Sequence, residues 1–365
     1  MADITPNDVQ TTRKGRLAHD VSEALGNVPT VRLNRISPIC RRHDLYLKLE
    51  ACNPGGSIKD KNAAFLIQEA ESSGLLTADG TIVESSSGNF GIGLAMIGAS
   101  RGYRVVIVVD AKTAPPMRRM LQAYGAELVD VPLSAADSQG SMQEARMRKA
   151  AELAQSITGA WYPCQHLNPL NPSAHSLWTA KEIETTFDGA PDAIVIGIST
   201  AGQLAGIAKY FRRHYAGVRI IGVDVAGSGI LGTPRHPYKM TGLGLSFVPP
   251  NFDVNLLDAA YGISDQLAFS VCHAMAKREG LLLGASTGAI VAAGLAQASL
   301  LGGHQQILMI NPDSGDRYLE TVYEPSWLAD QGISLLADTA LEAAILALEP
   351  VSRATLRGDG RHPQA

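Results

Sequence analysis

The chain is short of aromatic rings, cysteine and charge. Three Trp, ten Tyr and seven Phe stand among 365 residues, beside 36 Gly. Few rings and many glycines suit an α/β protein with tight strand-to-helix turns better than a β-sandwich. Charged residues are only 18% and hydrophobic ones 45%, which excludes disorder over the whole length. A net charge of −4 gives no global attraction to nucleic acid. The four cysteines, at 40, 52, 164 and 272, form no CxxC pair, and a chain this long needs no disulfide staple. A reduced, cytoplasmic setting is expected. Neither GxxxxGK[ST] nor GxGxxG occurs, so those two nucleotide-binding routes have no support. Asp3 and Asp8 precede Arg13, Lys14 and Arg16 with no apolar core after them, and no signal peptide is expected.

Residues 281–301 carry no charge and are long enough to span a bilayer. Gly284, Ser286, Thr287 and Gly288 interrupt them, so a short buried strand, a turn and a buried Ala-rich helix are expected, with no membrane span.

Val/Ile-rich runs at 81–85, 104–110, 126–131, 192–198, 218–225, 281–284 and 306–311 read as strands buried on both faces. Helical patterns fall at 57–73, 89–101, 115–124, 139–157, 174–187, 202–214, 265–279 and 287–301. This alternation predicts an α/β fold of two doubly wound, mostly parallel-sheet domains with a cleft between them. Residues 1–16 read as a flexible arm, 53–160 as a smaller mobile domain, and 17–52 plus 161–330 as a larger domain. Residues 331–365 read as a C-terminal helix, centred on 336–349, and a loose tail.

Four segments carry candidate chemistry. In NPGGSIKDKNA (53–63) two glycines and a serine lead into a helix with Lys59 in its first turn. The positive helix end lowers the pKa of an amine there, which suits a nucleophile; a solvated lysine with Asp60 as cap is the equal alternative. In ESSSGNFGIGLA (84–95) serines and an asparagine at a strand-to-helix junction offer donors to an anion such as a carboxylate. In GISTAGQLAG (197–206) Ser199, Thr200, Gly202 and Gln203 can cradle a phosphate. In NPDSGDRYL (311–319) Ser314 stands at a strand's C-terminal end, the ligand edge of such sheets. GASTG (284–288) matches the hydrolase pattern GxSxG. Only His304 and His362 follow it, in an order that suits no hydrolase triad, so Ser286 is read as part of a packing turn. Cys164, His166 and His175 match no zinc spacing and no metal is expected; the histidines read as surface or hydrogen-bonded residues. Arg118, Arg119 and Arg235 are candidate anion partners, read first as solvated arginines.

These segments, in this order and together with LGNVPTVRL (25–33) and NPLNPSAH (168–175), resemble the fold-type II pyridoxal-phosphate enzymes of the cysteine synthase and cystathionine β-synthase family. The resemblance covers about residues 22–328 and implies a tryptophan synthase β-like fold with pyridoxal 5'-phosphate in the cleft. It makes Lys59 the catalytic, cofactor-bearing lysine. Asn89 would bond the cofactor's 3-hydroxyl, Ser199, Thr200, Ala201, Gly202 and Gln203 would hold its phosphate, and Ser314 would face its pyridine nitrogen. Ser86, Ser87, Asn89 and Gln165 would hold the substrate α-carboxylate.

VVDAKTAPPMRRMLQAYGAELVDV (108–131) and PDSGDRYLETVYEPSWL (312–328) are most similar to a siderophore-pathway branch of the family. That branch joins O-phospho-L-serine to the amino group of L-glutamate, by β-elimination and then β-addition. Its product is N-(2-amino-2-carboxyethyl)-L-glutamate, a 2,3-diaminopropionate precursor. STAGQ (199–203) stands where cysteine synthases read GTGGT, and Ser199 is shared with phosphoserine users. Phe247 stands where an arginine is expected in that branch, and His166 where it has a tyrosine. The alternative is a cysteine synthase, or another β-substituted alanine synthase, using O-acetyl-L-serine. The resemblance implies small amino-acid substrates, a homodimer, and neither nucleic acid nor membrane as partner.

Overall fold

The computed structural model of the chain describes residues 17–137 and 141–357. The expected arm at 1–16 and the end of the tail, 358–365, lie outside the described residues. β1 (Thr30–Leu33) and β2 (Asp44–Leu49) lead to α1 (Lys59–Ser72). Next come β3 (Thr81–Ser85), α2 (Asn89–Arg101), β4 (Arg104–Asp110), α3 (Pro115–Ala123), β5 (Glu127–Val131), α4 (Gln143–Ser156) and β6 (Ala160–Trp161). The chain then crosses through α5 (Asn171–Ala174), a π turn (His175–Thr179) and α6 (Ala180–Thr186). β7 (Ala193–Gly197), α7 (Gly202–His214), β8 (Arg219–Val225), β9 (Ala259–Ile263), α8 (Asp265–Glu279), α9 (Ala285–Leu300) and β10 (Gln306–Asn311) follow. α10 (Pro325–Asp330), α11 (Asp338–Leu346) and α12 (Arg353–Arg357) end the described chain.

One sheet has the order β1-β2-β10-β7-β8-β9 and the other β5-β4-β3-β6. Every ladder is parallel except β1 on β2. The two-residue side-chain period explains the continuous apolar runs. In β7, Ala193 and Val195 enter one core while Ile194 and Ile196 enter another. In β4, Val105, Ile107 and Val109 face one core, and Val106 and Val108 the opposite one. β4 and β7 are thus buried on both faces.

α2, α7 and α8, and β3, β4 and β10, have the bounds read from the sequence. Their ends carry strong local signals: Ser264 caps α8 through Leu267 N at 3.3 Å, and Gly102 and Gly280 close α2 and α8 in the left-handed region.

The expected strand at 281–284 is absent. Tyr323 Oη donates to Leu283 O at 2.7 Å and accepts from Leu283 N at 3.1 Å, so a side chain takes the groups a ladder needs. Only an isolated bridge to Ser314 remains. β1, β2, β6 and β9 were not read from the sequence: β6 is two residues long, β9 is Ala- and Gly-rich, and β2 holds a buried lysine. The tail is ordered further than expected: Val351 N donates to Ala260 O at 2.8 Å and Leu356 packs on the core. α9 is buried, and no described helix is long and apolar enough to cross a membrane. All four cysteines are free.

Beneath α1 lies a buried ion network. Lys61 Nζ donates to Glu50 Oε1 at 2.9 Å and Glu182 Oε2 at 2.8 Å, and Lys48 Nζ to Glu182 Oε2 at 2.8 Å. Asn53 Nδ2 donates to Glu50 Oε2 at 2.8 Å, and Asn53 Oδ1 accepts from Gly26 N at 3.0 Å. Burial by itself lowers the pKa of the Lys61 ammonium, and the two carboxylates outweigh it, so the group stays charged. Removing one member strands a buried charge. Lys61→Met is expected to cost ~3–5 kcal/mol in urea unfolding. Arg104→Ala, which breaks the half-exposed pair with Glu127, should cost under ~1 kcal/mol. Equal midpoints for the two variants would contradict this.

Candidate active site

The site begins with the loop ahead of α1. Ser57 bridges Asp313 in strand fashion, and Ile58 N donates to Pro312 O at 2.9 Å. These contacts set the first turn of α1 against the loop after β10. Ser57 Oγ accepts from Lys59 N at 3.2 Å, and the buried Asp60 carboxylate accepts from Ser57 N at 3.4 Å. Gly55 lies so close to Asp60 that a Cβ there would sit 2.5 Å from its Oδ1. Lys59 and Lys61 are two residues apart, so they point to different sides of the helix. Lys61 is neutralised; the Lys59 amine has no hydrogen-bond partner among the described residues, and burial pushes it down to about 8. The alternative reading, a solvated Lys59 with Asp60 as cap, does not hold.

The second loop follows β3. Ser86 Oγ accepts from Gly91 N at 3.0 Å, inside the first turn of α2. The buried Glu84 carboxyl, raised to about 8 by burial, accepts from Ser85 N at 2.7 Å and Gln165 N at 3.3 Å. It ties the serine loop to the 165 segment. Asn171 Nδ2 donates to Gln165 O at 2.8 Å, while Gln165 Oε1 is buried without a partner. Asn89 Nδ2 donates to Asp313 Oδ2 at 2.7 Å, and its Oδ1 accepts from Arg317.

The third loop joins β7 to α7. Ser199 has φ 45° and Ala201 φ 61°, a left-handed path into the N-terminus of α7, where free N–H groups suit an anion. A Cβ on Gly202 would lie 1.9 Å from Asn171 Oδ1, so only glycine fits. Gln203 is buried and its Nε2 lacks a partner. This turn, an unpaired buried amide and an unpaired amine across the cavity fit a phosphorylated aldehyde cofactor.

Lys59, Ser86, Ser87, Asn89, Gln165, Ser199 and Thr200 line one cavity of about 150 Å³. Ala201, Gly202 and Gln203 continue from it into α7. Ser314 is not in the lining; it is half-buried, bridged to Leu283, and adjacent to Asp313. Sequence reasoning missed Arg146 and Gln143, from α4, and residues 242–245, all of which line the cavity. Arg146 is buried and ion-paired to the buried Asp110, and its Nε has no partner. Nothing in the helical stretch EARMRK separates it from Arg148. His166 is no surface histidine: it is 7% exposed and lines the cavity. Burial, then Arg146 and Lys59, push it down to about 4, so it is neutral. His175 is buried and bonded to Thr179 Oγ1 at 3.2 Å. Ser286 Oγ is buried in α9 without a partner, as a packing residue and not as a triad member. Among the described residues no group of His, Cys, Asp and Glu can hold a metal.

The model of the family "pyridoxal-phosphate dependent enzyme" matches residues 21–313. This chain belongs to that family. It is 35% identical over 316 residues to an N-(2-amino-2-carboxyethyl)-L-glutamate synthase of Cupriavidus metallidurans, covering 86% of this chain and 92% of that protein. It is 35% identical over 304 residues to a cysteine synthase of Staphylococcus aureus, covering 83% and 96%. The structure of O-acetylserine dependent cystathionine beta-synthase from Helicobacter pylori matches with TM-score 0.78 and 34% identity, over 85% of this chain and all of that one. An O-ureido-L-serine synthase structure matches with the same score and identity, over 90% and 100%. The chain is a pyridoxal-phosphate-dependent β-substituted alanine synthase of fold type II.

The Lys59 amine supplies a direct test. Its reductive methylation, followed by mass spectrometry on enzyme freed of cofactor, should rise with a midpoint near 8. Solvated lysines titrate near ~10.4. A Lys59 midpoint above 10 would contradict the desolvated amine.

Proposed function

We propose that the enzyme replaces the phosphate of O-phospho-L-serine with the amino group of L-glutamate. The products are N-(2-amino-2-carboxyethyl)-L-glutamate, a 2,3-diaminopropionate precursor, and inorganic phosphate. The observation that carries the donor is Arg146. A dianionic leaving group wants a cation, and Phe247 offers none. Arg146 lines the Lys59 cavity with an unpaired Nε, so the cation comes from α4. The alternative donor, O-acetyl-L-serine, has in its favour the ring of Phe247, packed edge-on to the neutral His166 at 6.1 Å.

In this reading Ser86, Ser87, Asn89 and Gln165 bind the donor's α-carboxylate. The turn at Ser199, Thr200, Ala201, Gly202 and Gln203 takes the cofactor phosphate, Asn89 its 3-hydroxyl, and Ser314 faces its pyridine nitrogen. Pyridoxal 5'-phosphate, when bound, supplies the electron sink. Lys59 Nζ, neutral above about 8, takes the proton from the donor's Cα and returns it there after addition. Arg146 pairs with the departing phosphate. Residues 53–160 close over the donor and exclude water, with Gln143 Oε1 accepting from Ser246 Oγ at 2.9 Å as one clasp across the cleft. The reading also includes a cytoplasmic homodimer, on the family resemblance alone; sedimentation tests it.

Donor specificity tests the reading through Arg146→Met combined with Asp110→Asn, so that no buried carboxylate is left alone. The wild type should prefer O-phospho-L-serine. The double variant should lose ~10–100-fold in kcat/KM for it, the equivalent of one charge-assisted hydrogen bond of ~1.5–3 kcal/mol. Turnover of O-acetyl-L-serine should stay within about threefold. A wild type that ignores O-phospho-L-serine and consumes O-acetyl-L-serine would overturn the donor and leave the alternative.

A further inference from the structure

The Lys59 cavity shares Ser87, Gln143, Arg146 and Leu245 with a second cavity of about 630 Å³. That volume is ample for a whole amino acid. Its lining also carries Lys112 and Arg235. Among the described residues the only acidic one lining it is Asp110, which is already ion-paired to Arg146.

Arg235 is exposed, as its reading as a solvated arginine has it, and it lines the chamber. Arg118 is held by Asp130 at 2.7 Å and Arg119 by Glu320 at 3.2 Å, so both are spent on ion pairs. No carboxylate lies within ion-pair distance of Arg235 among the described residues. Its stem lies against Gly229, whose Cβ would stand 3.7 Å from Arg235 Cδ. The neighbouring His236 donates Nδ1–H to Pro237 O at 3.0 Å. A cationic group on this loop faces a chamber that shares part of its lining with the Lys59 cavity.

We propose that this chamber is the acceptor subsite, and that Arg235 binds a carboxylate of the incoming amine. The inference rests on the amine-acceptor reading above and specifies its selectivity. The acceptor class is a small amine with one or more carboxylates away from the attacking nitrogen. Its amine reaches the shared wall at Ser87 and Arg146 while its carboxylate pairs with Arg235. The N–Cβ bond forms there after the donor's phosphate has left with its bonding pair, and the amine proton passes to solvent or Lys59.

The test uses the cofactor-loaded enzyme with two readouts: KM for L-glutamate, and the burst of phosphate released from O-phospho-L-serine before any acceptor is added. Arg235→Gln should raise the glutamate KM at least tenfold and keep the burst within twofold. Arg235→Lys should recover most of the affinity. A rise of less than tenfold, or a burst that falls along with affinity, would overturn the subsite. A wild type that shows no phosphate burst, or forms no adduct with glutamate, fails the underlying reading first and takes the subsite with it.

Discussion

The position of one buried ammonium sets the rest of the site. Lys61 sits between Glu50 and Glu182, out of water, and is held there by two charge-assisted hydrogen bonds. Those contacts fix the roll of α1, because an alternative roll would take the Lys61 ammonium away from both carboxylates and leave it buried and unpaired. With Lys61 turned to the carboxylates, Lys59 is turned the other way, to the cavity, with nothing to neutralise it. The same helical turn therefore yields one lysine kept charged and one whose amine burial brings down to about 8. Pairing of Ser57 and Ile58 with the loop after β10 completes the placement.

Three layers of recognition then separate along the cleft. In the proposed reading, the loop before α7 holds the cofactor phosphate through its left-handed turn at Ser199 and Ala201. The serine loop after β3, tied to Gln165 through Glu84, takes the carboxylate that every α-amino acid brings. Selectivity falls to side chains from elsewhere. Arg146 comes from α4 and Arg235 from the loop after β8. Arg146 lines the Lys59 cavity and Arg235 the adjoining chamber, where the proposed reading places the leaving group and the acceptor.

What the sequence made legible follows from how local its causes are. The bounds of α2 and α7 are written in serine and glycine at the strand-to-helix turns, and Lys59 in the paired glycines before it. β2 was hidden because Lys48, a residue that marks surfaces, is buried by a partner 134 positions away. The 281–283 run looked like a strand because the Tyr323 hydroxyl that takes its hydrogen bonds lies 40 residues on. Arg146 and Arg235 share this property. Their meaning depends on which carboxylate does or does not reach them, and that is settled only by tertiary packing.

The most direct test of the account is the product of one reaction. The enzyme, loaded with pyridoxal 5'-phosphate, is given O-phospho-L-serine and L-glutamate, and the mixture is resolved by mass spectrometry alongside a phosphate assay. The account predicts N-(2-amino-2-carboxyethyl)-L-glutamate and phosphate in equal amounts. Phosphate accompanied only by pyruvate and ammonia, with no glutamate adduct, would contradict it.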